Sequence, residues 1–251
     1  MDNQRGTEKK LSIAYSLCIA CGIIAAICVG VPYGHWKGTL DVCGTLPSRQ
    51  NCSCILYGRN TFNYIAGGSN HICNFVTFGP LAYVIFSLLL ACFHGFRVMF
   101  GSTNSQRTIT TKNELGEMVI LQTVDSETTS PLTRSFWITK SIISVVLTIY
   151  ALVLFAMFMD GFLHTCNEYR KRLEKILGIH GTVIPVIHNR LDCNAIFDFM
   201  DYIEPDTAIA RRDGTINTAA SLITGLIASC LSWVLFFFSS IWNINQARNK
   251  V

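Results

Sequence analysis

Charged residues are scarce in this sequence, and four long stretches contain almost none. Asp, Glu, Lys and Arg make up 14% of the 251 residues, while 50% of the residues are hydrophobic. The mean hydropathy is +0.37, and a soluble domain of this length would be more polar. The net charge of +4 is spread along the chain and forms no basic arm. We therefore expect no nucleic-acid partner.

Sequence patterns of catalytic and cofactor sites are also lacking. The chain has no G-x-S-x-G, H-E-x-x-H, P-loop or G-x-G-x-x-G pattern, which are the usual signatures of hydrolytic, zinc and nucleotide sites. Cys52 and Cys54 are too close for a C-x-x-C redox or zinc pair. His164 lies two residues before Cys166. The two residues could form a metal-binding pair or a nucleophile with its base. Alternatively, Cys166 is a disulfide cysteine and His164 lies beside it at the membrane surface. We expect no enzymatic activity, no catalytic residue, no metal, no cofactor and no small-molecule substrate.

Four apolar stretches dominate the chain, and each is long enough to cross roughly 30 Å of hydrocarbon as a helix. They lack the polar faces that buried helices of a soluble protein would need. The first could be a cleaved signal peptide, but it is about twice as long as a typical h-region and no clean A-x-A site follows it. We predict an all-α membrane protein, a four-transmembrane-helix bundle with a small disulfide-linked extracellular region. The predicted spans are residues 11–33, 75–97, 138–163 and 218–242, separated and flanked by residues 1–10, 34–74, 98–137, 164–217 and 243–251.

Positive charge alone does not settle the orientation, because each side would carry ten Lys or Arg residues. The flanks of the first span favour cytoplasmic termini weakly. Cysteine separates the two sides, since six lie between spans one and two or three and four, and none lies in the termini or the middle loop. Asn51 begins an N-x-S glycosylation acceptor on the cysteine side. We predict a plasma-membrane protein with both termini cytoplasmic and residues 34–74 and 164–217 extracellular.

The six outer cysteines allow 15 complete pairings. Cys166 and Cys193 are the two cysteines of their loop, so closure within that loop is the simplest arrangement. A competing arrangement links the two outer loops, for example through Cys43 or Cys52 with Cys166. The cysteines involved are Cys43, Cys52, Cys54, Cys73, Cys166 and Cys193.

The outer loop 164–217 shows helical periodicity on both sides of Gly178. Apolar residues at helical spacing predict that the third span continues past the bilayer and stops near Gly178. The pairs Glu168–Arg172 and Arg170–Glu174 have i,i+4 spacing. A second short amphipathic helix with acidic residues should end before Pro205. A basic helix against an acidic helix is one interpretation, and two separately solvated faces are the other.

Two further features concern the spans and the middle loop. Small residues recur every four positions in the first span and again in the fourth, and such residues let membrane helices approach closely. These small residues either pack the helices of one bundle together or form a face that binds a partner's helix. The predicted packing residues are Ala14, Cys18, Gly22, Ala26, Gly30, Ser221, Gly225 and Ser229. The middle loop reads as mostly disordered. Its apolar island at residues 117–121 could dock on a partner, rest on the bilayer or form a short strand with no role.

Several short motifs resemble the transmembrane protein 179 family of four-span proteins. They are Cys54-Ile55-Leu56-Tyr57, Cys73-Asn74-Phe75, His94-Gly95-Phe96-Arg97, Gly161-Phe162 with Cys166, Cys193, Ile227-Ala228-Ser229 and Trp233. The resemblance covers roughly half of the chain. It implies the same topology, one cysteine pair per outer loop and a Cys54–Cys73 bridge, which leaves Cys43 with Cys52. It implies no activity.

No Asp, Glu, Lys or Arg lies in the middle of a span, whereas ion-coupled transporters usually keep such groups in the membrane. We therefore expect a non-enzymatic integral membrane protein, an auxiliary or adaptor subunit of a membrane complex. Its partners would be the lipid bilayer and another membrane protein, contacted through spans or outer loops. The alternative is a small pore- or channel-forming homo-oligomer.

Overall fold

The structure is a computed structural model that describes residues 2–40, 52–61, 65–100, 106–112, 118–124, 132–176, 191–203 and 214–248. Within these residues the helices are α1 (Asp2–Leu40), α2 (Asn70–Phe100), α3 (Arg134–Ile176), α4 (Cys193–Ile203) and α5 (Thr218–Arg248). The strands are β1 (Cys54–Asn60), β2 (Ile65–Gly68), β3 (Gln106–Lys112) and β4 (Met118–Val124).

Helices α1, α2, α3 and α5 are each long and apolar enough to cross a membrane, which confirms the prediction of four candidate spans. Several extend well beyond the predicted spans. Helix α3 has 43 residues and is therefore about 65 Å long, roughly twice the thickness of the hydrocarbon core. The predicted extension of the third span as a helix is confirmed up to Ile176, and Gly178 lies outside the described residues.

The prediction of an all-α fold is wrong in two places. Strands β1 and β2 pair antiparallel, with an irregularity between Cys54 and Arg59. Strands β3 and β4 pair in a regular antiparallel register from Gln106 opposite Val124 to Lys112 opposite Met118. The expectation of disorder is therefore wrong for these two segments of the middle loop, and the alternative of a short strand at the apolar island is confirmed. Their Thr, Ile and Val content favours strands, and β4 includes most of the apolar island.

The helices run antiparallel, so that the start of α1 and the end of α5 lie at one end of the bundle, which we name the terminal end. Gln246 of α5 donates to Thr7 of α1 there at 2.7 Å. The opposite end carries the β1–β2 hairpin, α4 and both described disulfides, and we name it the stapled end. Helix α1 packs along α2 and α5, and α5 packs along α3.

The surface of the bundle differs from that of a soluble protein. The inside holds aliphatic side chains and large aromatic rings, including Trp36, Tyr83 and Phe236, together with buried hydroxyls. Large aliphatic side chains cover the outside, for example Ile27 at 58% exposure and Ile85 at 60%. An apolar surface of this extent is unusual on a soluble monomer and suits contact with lipid.

Candidate functional site

Two disulfides fix the stapled end. Cys54 at the start of β1 is bonded to Cys73 in α2, and Cys166 in α3 is bonded to Cys193 at the start of α4. Both pairs have a Cα–Cα distance of 5.5 Å, which is ordinary for a disulfide. The bridge expected within loop 164–217 is thus present, and the arrangement that links Cys166 to the first loop is wrong. Cys43 and Asn51 lie outside the described residues, so the Cys43–Cys52 bridge and the glycosylation site stay predictions.

Strand β1 is held on its outer edge by side chains of α3 in place of another strand. Thr165 Oγ1 accepts a hydrogen bond from the Gly58 N–H at 2.9 Å and donates to the Ile55 carbonyl at 2.8 Å. His164 Nδ1 lies 3.2 Å from the Gly58 carbonyl oxygen, and the Asn60 N–H donates to Glu168 at 3.2 Å. Unpaired strand edges are open to aggregation, and these bonds cover the edge within the chain.

Tyr57 joins the same strand to α3 in an unusual backbone conformation, with a φ of 57°. Its hydroxyl donates to Asp160 at 2.7 Å, and its ring lies against Gly161, where an added Cβ would be 2.7 Å from the Tyr57 ring. Partial burial, with Asp160 as a second cause, raises the pKa of Tyr57 to about 12. A non-glycine residue with positive φ persists when surrounding contacts hold it, and both contacts are on α3.

Helix α4 packs on the bundle through apolar side chains. Asp192 caps its start by accepting from the Ala195 N–H at 2.8 Å. Ile196, Phe197 and Met200 are fully buried, and the Phe197 ring stacks on Phe162 of α3 at 5.1 Å. The prediction of a second short amphipathic helix before Pro205 is confirmed, and apolar packing explains its contact with α3.

Several charged residues of this end bond to side chains or to backbone groups. Lys171 donates to Glu168 at 2.6 Å and lowers the pKa of that carboxyl. Arg170 donates to the Leu191 carbonyl at 2.9 Å. Asp201 of α4 accepts from the Thr218 N–H at 2.8 Å and from its hydroxyl at 2.5 Å, which caps the start of α5. Burial raises the pKa of Asp201.

The outward side of α4 carries two exposed aromatic residues. Tyr202 is 83% exposed and Phe199 is 37% exposed, and their i,i+3 spacing places them on one side of the helix. Aromatic side chains on a fixed element are frequent anchors of protein interfaces. Sequence reasoning missed this aromatic pair because it treated the acidic character of the segment as its main property.

The predicted small packing residues of the first span lie in contacts within the chain. A Cβ added at Gly22 would be 2.5 Å from Val84 Cγ2, and one at Gly30 would be 3.2 Å from Thr77 Cγ2, both on α2. Ala14 and Cys18 are buried, whereas Ala26 is half-buried.

The packing residues of the fourth span face α1 as well. The Ser221 hydroxyl donates to the Cys28 carbonyl at 2.9 Å, and a Cβ added at Gly225 would be 3.1 Å from Cys28 Cβ. Ser229 is buried. These contacts favour packing within one bundle over a face for a partner's helix.

The terminal end contains several buried polar residues whose contacts the sequence did not predict. Glu8 of α1 and Arg97 of α2 form an ion pair at 3.3 Å, with side-chain exposures of 5% and 15%. Asn243 donates to the Tyr15 hydroxyl at 3.1 Å, and the fully buried His94 ring lies nearly parallel to the rings of Tyr15 and Trp137. The sequence signal for these contacts is the presence of polar residues near the ends of apolar spans. Hydrogen bonds between polar side chains of different helices help to join membrane helices.

Comparison with known protein families, characterised proteins and solved structures found no match. In the described part of the chain, no three His, Cys, Asp or Glu residues are grouped so that they could hold a metal ion.

Proposed function

We propose that this integral membrane protein is a non-enzymatic auxiliary or adaptor subunit, which binds another membrane protein through the outward side of α4. The exposed Phe199–Tyr202 pair carries this proposal. Both residues project from a helix that is fixed by a disulfide, by buried apolar contacts and by the Asp201–Thr218 bonds. A rigid aromatic surface loses little conformational entropy on binding, which favours its use as an interface.

Packing inside the bundle supports an adaptor over a channel formed by one chain. Trp36 and Phe158 are fully buried toward the stapled end, and Tyr83, Phe236 and Trp137 are buried toward the terminal end. Trp36 also donates to Thr218 at 2.9 Å, so its position is fixed by a hydrogen bond. A pore would therefore have to form between several copies of the chain.

The stapled end is proposed to be extracellular and the terminal end cytoplasmic, at the plasma membrane. Both described disulfides lie at the stapled end, and disulfides persist in oxidising compartments. The short motifs shared with the transmembrane protein 179 family are compatible with this topology, and membership of that family remains part of the proposal.

Affinity purification from native membranes tests the adaptor role. The tagged wild-type protein should recover a different membrane protein in constant proportion, and Phe199→Ala/Tyr202→Ala should lose it while keeping its own expression. Ile27→Ala is the matched control, because Ile27 is 58% exposed on a span and lies outside the proposed surface. Recovery of the chain alone, together with conductance of the purified protein in a planar bilayer, would replace the adaptor proposal with the homo-oligomeric pore.

A further inference from the structure

The outward side of α4 carries a carboxylate next to its aromatic pair. Asp198 and Tyr202 have i,i+4 spacing and are therefore neighbours on the helix surface. Two positions along an α-helix turn the side chain by about 200°, so both residues lie nearly opposite Met200, which is fully buried. Asp198 is half-buried, and among the residues that the structure describes it has no hydrogen-bond or ion-pair partner.

The segment that contains α4 is acidic throughout. Residues 191–210 include no Lys or Arg, and their acidic residues are Asp192, Asp198, Asp201, Glu204 and Asp206. Asp192 and Asp201 already accept hydrogen bonds from the starts of α4 and α5. Tyr202 lies in the last turn of α4, where the final helix carbonyls add a partial negative charge. A cation is therefore favoured beside Asp198 and Tyr202, and an anion is disfavoured.

A carboxylate beside an exposed ring matches arginine better than other side chains. The guanidinium group is planar, pairs with a carboxylate through two N–H groups and also stacks on an aromatic face. The lysine ammonium is a compact and strongly hydrated charge. A wholly apolar partner segment would bury the Asp198 carboxylate without a hydrogen bond, which costs free energy. The α4 surface of a second copy is equally acidic, so like charges oppose self-association through it.

We infer that the partner membrane protein contacts α4 through a segment that bears arginine. The guanidinium group pairs with the Asp198 carboxylate and lies over the Tyr202 ring, and Phe199 provides an apolar contact beside it. This inference rests on the proposed adaptor role and adds the chemistry of the partner to it.

Binding of a fluorescent tetra-arginine peptide to the purified full-length protein tests this recognition by fluorescence anisotropy in neutral detergent at low salt. Asp198→Asn and Tyr202→Leu should each weaken binding about fivefold, since an exposed ion pair and a cation–π contact each contribute on the order of 1 kcal/mol. Asp198→Glu should keep most of the affinity, and tetra-lysine should bind more weakly than tetra-arginine. Asp192→Asn is the matched control, because it removes one charge beside the same helix while asparagine keeps the cap.

Two results with the peptide would overturn the inference. One is equal affinity of the wild type, Asp198→Asn and Tyr202→Leu. The other is tighter binding by Arg211→Gln/Arg212→Gln, because it would show that this chain's own cations occupy the surface.

Co-purification from native membranes separates this inference from the adaptor role. Asp198→Asn should recover about fivefold less of the partner than the wild type, and Asp198→Glu should restore the recovery. Equal recovery by the wild type and Asp198→Asn would overturn the arginine contact and leave the adaptor role standing. Recovery of no partner by the wild type would overturn both.

Discussion

At the scale of single residues, the small side chains of α1 differ in how closely the neighbouring helix approaches. Gly22 leaves no room for a Cβ beside Val84 and Tyr83, because both contacts would be shorter than 3.0 Å. Ala26 is half-buried, although it belongs to the same four-residue repeat. The repeat therefore identifies the packed side of the helix, while the contact distance identifies the position that is sensitive to substitution.

We expect Gly22→Leu to destabilise the bundle by about 2 kcal/mol or more, since overpacking a filled interior typically costs 1–3 kcal/mol. Ala26→Leu should cost less. The control is Ile23→Leu, because Ile23 is 43% exposed on the outside. Thermal unfolding in detergent measures the three variants, and equal Tm values for all of them would show that the contact at Gly22 is unimportant.

Glu168 should make the stapled end sensitive to acid. The hydrogen bond from Lys171, followed by the bond from the Asn60 backbone, lowers the pKa of Glu168 in the folded protein. The stabilisation that ionised Glu168 gives to the folded protein is therefore complete above the ordinary glutamate pKa of about 4.3. It is lost as the pH falls through the lowered pKa of the folded protein.

We expect Glu168→Gln to lower the Tm at neutral pH. The difference in Tm between this variant and the wild type should shrink below about pH 4.3. Lys171→Gln should reduce the same pH-dependent difference, because it removes the first cause of the shift. A Tm difference that stays constant from neutral pH to acid would contradict the assigned role of Glu168.

At the scale of elements, the sequence predicted the helices better than the hairpin. The extension of α3 and the existence of α4 followed from apolar residues at helical spacing, and Tyr169, Leu173, Ile196, Phe197 and Met200 are all buried. Strand β2 has four residues, and two of them are glycines, so it has too little pattern to be detected. The edge of β1 is satisfied by Thr165, His164 and Glu168, more than 100 positions away, and local sequence contains no sign of such bonds.

The Cys166–Cys193 bridge should hold α4 against α3. The bridge joins residues 27 positions apart, for which the chain-entropy account gives roughly 3–4 kcal/mol of stabilisation. Cys193→Ser should therefore lower the Tm strongly and retain the protein in the secretory pathway. Cys230→Ser is the control, because Cys230 is a free cysteine within α5. Normal surface delivery of Cys193→Ser would mean that apolar packing holds α4 without its bridge.

At the scale of the whole molecule, the arrangement is a lipid-facing bundle with two different ends. The stapled end presents an aromatic side of α4, and the terminal end contains a buried ion pair. The sequence could predict the asymmetry through its cysteines. It could not predict the buried contacts of the terminal end, since these join Glu8 to Arg97 and Thr7 to Gln246 across different helices.

The proposed topology predicts that tags placed before α1 and after α5 are both protected from protease in intact cells and cleaved after permeabilisation. The positive charges beside the first span and the absence of cysteine from the terminal segments motivate this orientation. The same samples should show a glycan that Asn51→Gln removes. Cleavage of either tag from outside intact cells would reverse or break the topology.

Photo-crosslinking in native membranes tests whether the outward side of α4 contacts another membrane protein. A photoreactive amino acid replaces Tyr202 in one sample and Ile27 in a control sample, because both side chains are exposed but only Tyr202 belongs to the proposed surface. We expect a discrete adduct with a different membrane protein from position 202 and none with that protein from position 27. Adducts only between copies of this chain, or no protein adduct from position 202, would contradict the proposed adaptor role of α4.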